Sequence, residues 1–431
     1  MRFSRFALAA LALPLLAGCS SLVDNQKMGP LGTPSGGAMF ANYIALGTSI
    51  SAGVQSGGIS DSTQRAAYPY RLALAMGLAP NANWFYPGFT PPGCPAPYTN
   101  PLTGDRVGGG NDSLGAATGC NLIYPPNIPA RQSYYNNLGV PSMKVGQALN
   151  ILSIPDPRTD VLPAAQFVTG GRSPVTILAE AKPTFVTVEL GANDALHAAT
   201  SGDTTEMTPL AVFQREYDSL ATAVAATGAK VAVANVPNVS NIPYITRGHI
   251  FFCGHTGACG TAAQPPLNSP LFTVDASCAP SAVGGVGDEM AVALPATAEI
   301  VGVLAGGGAA SLNCGAATAS VTTQAGTAPV GPLVSVAAMA VISQRVTDFN
   351  TKIASVAAAH GWAVANLDSA LSALVVAGQV PVIPNLATPS NLFGTYFSLD
   401  GFHPSSAAHK LIADLFVGAI DAKYGTSLTP P

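Results

Sequence analysis

Charge is what this chain has least of: charged residues make up only 9% of its 431 residues, and the formal net charge is −4. Without a basic footprint, the electrostatic attraction that nucleic-acid binding depends on is missing. Long apolar runs are missing too once the N-terminus is passed. The most apolar later stretch, Met290 to Leu304, is broken by Pro295 and Glu299, so no membrane span is expected after the first residues. Metal-ligand spacing is absent as well. Cys253-Gly254-His255 and Cys259 have no second ligand cluster to join them, and a small disulfide loop is the expected reading there. The Gly-x-Ser-x-Gly elbow of the α/β-hydrolases does not occur, and neither does an internal repeat.

What the N-terminus does have is Arg2 and Arg5, an apolar run from Phe6 to Leu16, and Leu16-Ala17-Gly18-Cys19. That is a secretory signal over residues 1–18, too short to serve as a spanning helix. Its end is similar to a bacterial lipobox, in which the cysteine, here Cys19, is lipidated and becomes the new N-terminus. Acyl chains contribute about 0.8 kcal/mol per buried methylene, enough in combination to anchor a protein at the envelope. Ser20 stands where an aspartate would signal inner-membrane retention in enteric bacteria, which points to the outer membrane. Residues 19–41, rich in Gly, Pro and Ser towards their end, read as a lipidated tether. Six cysteines remain: Cys94, Cys120, Cys253, Cys259, Cys278 and Cys314. An even number in an exported protein argues for disulfides, and proximity suggests pairing in sequence order among about fifteen possibilities.

Beyond the tether the chain alternates between strand and helix. Asn42 to Leu46 reads as a buried strand, ended by Gly47 and Thr48. A short helix is expected over Pro69–Met76, extended chain over Ser133–Leu138 ending at Gly139, and a helical stretch over Met143–Leu152. Thr184 to Leu190 is the clearest strand, and it ends at Gly191-Ala192-Asn193-Asp194. Thr208 and Pro209 signal the start of a helix running to about Thr227. Lys230–Val236 and Trp362–Leu367 read as strands, Leu333–His360 as a long helix, and Ser405 or Ser406 as the cap of a last helix reaching about Ile420. Two long stretches interrupt the pattern, at about 79–131 and about 246–332, each holding cysteines that could staple it. Without them, the alternation predicts an α/β fold: a three-layer α/β/α domain over 42–425, with a roughly five-stranded parallel sheet.

In such a sheet the strand ends at Gly47–Ser49, Gly139 and Gly191–Asn193 share one edge. Asp400-Gly401-Phe402-His403-Pro404, before the last helix, places a carboxylate and an imidazole three residues apart. Ser49 can then be a nucleophile, His403 its base and Asp400 the group that orients the base. The backbone N–H groups of Ser49 and Gly139 and the amide of Asn193 would form an oxyanion hole.

At these residues the sequence resembles the SGNH hydrolases, also called GDSL esterases and lipases. Their four blocks correspond to Gly47–Gly53, Asn137–Gly139, Gly191–Asp194 and Asp400–His403, in order, and Asn235-Val236-Pro237 is similar to a further, less specific motif. Thr48 departs from the aspartate that usually precedes the serine. The resemblance implies a flavodoxin-like sheet and a serine esterase or lipase that works through an acyl-enzyme, with no cofactor, no metal and no obligatory protein partner. Its substrate would be an ester, with a hydrophobic acyl ester or lipid suggested by the anchor and the apolar insertions. O-acetylesterase, thioesterase and acyltransferase activities occur on the same scaffold, and a non-catalytic binding or adhesion lipoprotein is the reading from a different class.

Several other residues carry weaker expectations. Asp194 is expected to brace its loop, His197 to lie on a surface loop, and His409 to be structural. His360 sits near a helix end, where a cation is favoured. Trp84, Phe85, Tyr86 and Phe89 could wall an acyl site or pack the first insertion onto the core. Glu189, at the end of a strand, has no assigned role.

Overall fold

In the computed structural model of the chain, the described residues are 36–89, 91–109, 122–123, 133–150, 168–259, 265–315, 318–323, 326–381 and 384–429, all within one compact unit. Its centre is a five-stranded parallel sheet. The strands are β1 (Tyr43–Gly47), β2 (Asn137–Gly139), β3 (Phe185–Glu189), β4 (Lys230–Ala234) and β5 (Ala363–Ala365), in the order β5-β4-β3-β1-β2. The sequence of β1, Tyr-Ile-Ala-Leu-Gly, is buried at every position, as a parallel strand covered on both faces requires. Ile44 and Leu46 pack with Val186, Val188 and Phe213 on one face. Tyr43 and Ala45 pack with Phe185, Ala232 and Phe416 on the other. The period-two alternation of a strand thus divides one short segment between two cores.

The helices that matter for the site are α1 (Ser49–Ala52), α2 (Asn193–Ser201), α3 (Leu210–Ala225), α4 (Val336–His360) and α5 (Ser406–Tyr424). Between the two candidate caps for the last helix the structure selects Ser405, whose side chain accepts from Ala408 N–H, and the helix runs on past Ile420 to a left-handed Gly425. Gly361 ends α4 in the same way. Thr208 does not cap α3; its hydroxyl donates to Asp194 at 2.7 Å, and Pro209 stands at the cap.

The second insertion is more regular than its composition suggests. Ile245–Arg247, Met290–Ala293, Thr318–Thr323 and Gly326–Ser335 form an antiparallel sheet, so α4 begins at Val336 and not at Leu333. Phe251, Phe272, Val292, Ile300 and Leu312 give it a core of its own. Its cysteines pair in sequence order, Cys253 with Cys259 and Cys278 with Cys314. Cys94 is disulfide-bonded too. Cys120, the partner expected for it, lies outside the described residues, as do the signal segment and Cys19. The end of the expected tether belongs to the folded unit. Phe40 is fully buried, with its ring 5.0 Å from that of Phe185.

Candidate active site

Ser49 follows Thr48 at the carboxyl end of β1 and opens α1. The turn can form because residue 47 is glycine: a Cβ there would lie 1.9 Å from Ser51 Oγ and 2.9 Å from a carboxylate oxygen of Glu189. That carboxylate is the main structural feature the sequence did not disclose. Glu189 ends β3 beside β1 and is buried, and it accepts from Thr48 N–H at 3.0 Å, Thr48 Oγ at 2.9 Å and Ser51 Oγ at 3.0 Å. Ser51 Oγ lies 2.7 Å from Tyr68 OH; since Ser51 donates to Glu189, Tyr68 donates to Ser51. Burial raises the pKa of Glu189, and the donors from Thr48 and Ser51 oppose that rise. The turn carrying Ser49 is therefore tied to the strand that leads into the Asn193 loop. Thr48 supplies two of the ties.

Asp400 and His403 lie on one tight loop. His403 Nδ1 is 2.8 Å from Asp400 Oδ2, and Asp400 also accepts from the backbone N–H groups of Gly57 at 2.6 Å and His403 at 2.9 Å. Burial alone would raise the Asp400 pKa; the charge and hydrogen bonds of His403, with Gly57 N–H, instead hold it down to about 2. An ionised Asp400 keeps a proton on Nδ1 and leaves Nε2 as the acceptor of the neutral ring.

Ser49, Asn193, Asp400 and His403 line one cavity of about 550 Å³, together with Ser142 and Arg106. Among the described residues Ser49 and His403 do not hydrogen-bond to each other. Nucleophile–base hydrogen bonds tighten in the Michaelis or transition-state complex. The Asn193 amide is fixed by donating one Nδ2 proton to the Met143 carbonyl at 3.1 Å, and its second proton has no acceptor among the described residues. As expected, Asp194 braces the loop, accepting from Val145 N–H and Thr208 Oγ. Its own burial pushes its pKa up to about 6.

Two expectations, for Gly139 and His197, need correction, and an open choice for four aromatics is resolved towards packing. The N–H of Gly139 donates to Asn137 Oδ1 at 3.0 Å, and Gly139 is absent from the cavity wall. What Gly139 supplies is close packing, since a Cβ there would lie 2.3 Å from Ala52 N. Ser142, three residues on, lines the cavity and holds a left-handed backbone with φ of 62°, and its N–H has no hydrogen-bond partner among the described residues. The departure from glycine at a left-handed position hid it from a reading of the sequence. Trp84, Phe85, Tyr86 and Phe89 are all buried outside the cavity wall, with Trp84 and Tyr86 in the core that includes Tyr43 and Phe89 against Ala52, Val54 and Ile59. His197 is half-buried on α2, not on a loop.

His409, expected to be structural, is fully buried with Nδ1 facing Tyr68 N–H at 3.4 Å, and burial first, then His403 and Arg71, pulls its pKa down to about 3. His360 stacks on Trp362 at 4.8 Å. Among the described residues no cluster of His, Cys, Asp and Glu is suited to a metal ion, and no helix is long and apolar enough to cross a membrane. The arrangement puts a serine hydroxyl, an imidazole oriented by a carboxylate and a side-chain amide around one cavity, the groups from which a nucleophile, a base and an oxyanion donor can be built. No protein-family model matches the chain, and comparison with curated proteins finds no match either.

Proposed function

We propose that this protein is a serine hydrolase of carboxylic esters, built and acting like the SGNH hydrolases. The observation that carries the reading is the shared cavity of Ser49, Asn193 and the Asp400–His403 pair, with Asp400 held ionised against Nδ1. In the first half-reaction His403 Nε2 takes the Ser49 proton as Oγ attacks the ester carbonyl. The tetrahedral oxyanion is held by the second Nδ2 proton of Asn193 and by the backbone N–H groups of Ser49 and Ser142. Collapse expels the alcohol, which takes the proton back from His403, and leaves an acyl group on Ser49. Water then repeats the sequence with His403 as base, releasing the acid and restoring Oγ–H. Asp400 stabilises the imidazolium at each step and is not itself protonated.

Hydrolysis of a p-nitrophenyl ester series, from acetyl to palmitoyl, tests the reading. Activity that falls by on the order of 10⁴-fold or more in Ser49→Ala supports it. Equal hydrolysis by both proteins would remove Ser49 from the chemistry, and the preferred acyl length separates an acetylesterase from a lipase. The same reading places the mature protein on the cell envelope through a lipidated Cys19. Metabolic labelling with palmitate that disappears in Cys19→Ala is the expected result, and labelling that persists would refute the anchor.

A further inference from the structure

Resting on that reading, a second feature of the cavity bears on what the ester carries. Arg106 lies in its wall and is 4% exposed. A buried guanidinium is costly unless its charge is met. Nη1 donates to the carbonyls of Gly57 at 3.0 Å and Ala96 at 2.5 Å, and the guanidinium carbon sits 3.7 Å above the Tyr98 ring. These neutral groups satisfy one nitrogen of three. Nε is buried without a partner, and Nη2 makes no hydrogen bond among the described residues. No carboxylate pairs with Arg106 among them either. Asp105, its neighbour in sequence, accepts from Thr103 Oγ, and Asp400, in the same cavity wall, accepts from His403 and Gly57. Among the described residues no carboxylate bonds to the Arg106 guanidinium, which shares the cavity wall with Ser49.

We infer that Arg106 receives an anionic group of the ester substrate, a carboxylate or a phosphate, while Ser49 attacks the ester carbonyl. Nη1 is turned to the backbone and Nε is closed off from solvent, so Nη2 is the guanidinium nitrogen left to donate to such oxygens, with the delocalised charge behind it. Tyr98, over the guanidinium face, and the Gly57 and Ala96 carbonyls fix the plane of the fork before substrate arrives. The same contacts hold Gly57, whose N–H supports Asp400, so a purely structural role for Arg106 is the rival reading and the test must separate the two.

Binding to the Ser49→Ala protein provides that test and needs no turnover. The probes are p-nitrophenyl hemisuccinate against its neutral methyl ester, and butyrylglycerol 3-phosphate against monobutyrin. The account predicts that the charged member of at least one pair binds tighter by about tenfold or more. That preference should vanish when Arg106→Gln is added and survive in part with Arg106→Lys, which keeps charge without the fork. The pair that shows the preference distinguishes carboxylate from phosphate. Near-ultraviolet circular dichroism checks that the variants keep the native packing. Equal binding of charged and neutral members in both pairs, or an Arg106→Gln variant that weakens both members alike, overturns the inference. Loss of the hydrolase reading would instead appear as an absence of Ser49-dependent turnover by the unmutated protein, with these binding differences untouched.

Discussion

Glu189 is absent from the cavity wall and yet holds the turn that carries Ser49, because three donors from that turn end on its carboxylate. In Glu189→Gln the amide can accept but presents its own donors to Thr48 and Ser51. Leaving a buried donor unsatisfied costs about 1–3 kcal/mol. The account predicts a matching loss in unfolding free energy and a fall in kcat of about tenfold to a hundredfold with KM little changed, since positioning and not ground-state binding is lost. A variant whose KM alone rises would show that Glu189 acts on substrate binding. Asn193 is a different case, because in the proposed mechanism its second amide proton, which has no partner among the described residues, meets charge that develops during reaction. Asn193→Ala should lose about 3 kcal/mol of barrier lowering, measured as on the order of a hundredfold in kcat. Undiminished kcat would remove Asn193 from the oxyanion hole. The Asp400–His403 contact was legible from the two residues lying three apart, and the position of Ser49 from its place at a strand end. Glu189 was not, because a carboxylate ending a strand finds its partners only once β1 and β3 lie side by side.

At the scale of elements, the strand ends do the gathering. β1 delivers Ser49, β3 leads into Asn193 on α2, and the loop before α5 brings His403. β2 contributes by approach: Gly139 lets α1 lie against it, so Gly139→Ala must push α1 away. Overpacking of this kind costs about 1–3 kcal/mol and would move Ser49. The predicted signature is a lower unfolding midpoint together with lost activity, and a fully active, fully stable Gly139→Ala would contradict the packing. The alternation of strands and helices was readable because buried parallel strands are continuous apolar runs punctuated by Gly and Asn. The antiparallel sheet of the second insertion was not, since its longest strand, Gly326–Ser335, carries Gly326, Pro329, Gly331 and Pro332, which read as turn and loop signals.

For the molecule as a whole, the buried groups shape how it meets acid. His409 has a folded pKa of about 3 against 6.5 for an ordinary histidine. Because the folded value is depressed, its contribution is complete above pH 6.5 and is lost as pH falls toward 3, by up to about 1.4 kcal/mol per pH unit. Asp194, raised to about 6, works in the opposite direction, its carboxyl costing stability as pH rises from about 4 to 6. Urea unfolding at pH 7 and pH 4.5 of the unmutated protein and of His409→Gln isolates the first effect, with a shallower acid loss expected in the variant. An identical loss in both would mean that His409 is not the acid-sensitive group. The proposed chemistry depends on Ser49 being the nucleophile. The most direct measurement is the mass of the protein after treatment with diethyl p-nitrophenyl phosphate, followed by peptide mapping. The account predicts one diethylphosphoryl group per chain, on the peptide containing Ser49, absent in Ser49→Ala and formed far more slowly in His403→Ala. A label on another residue, or one that persists in Ser49→Ala, would contradict it.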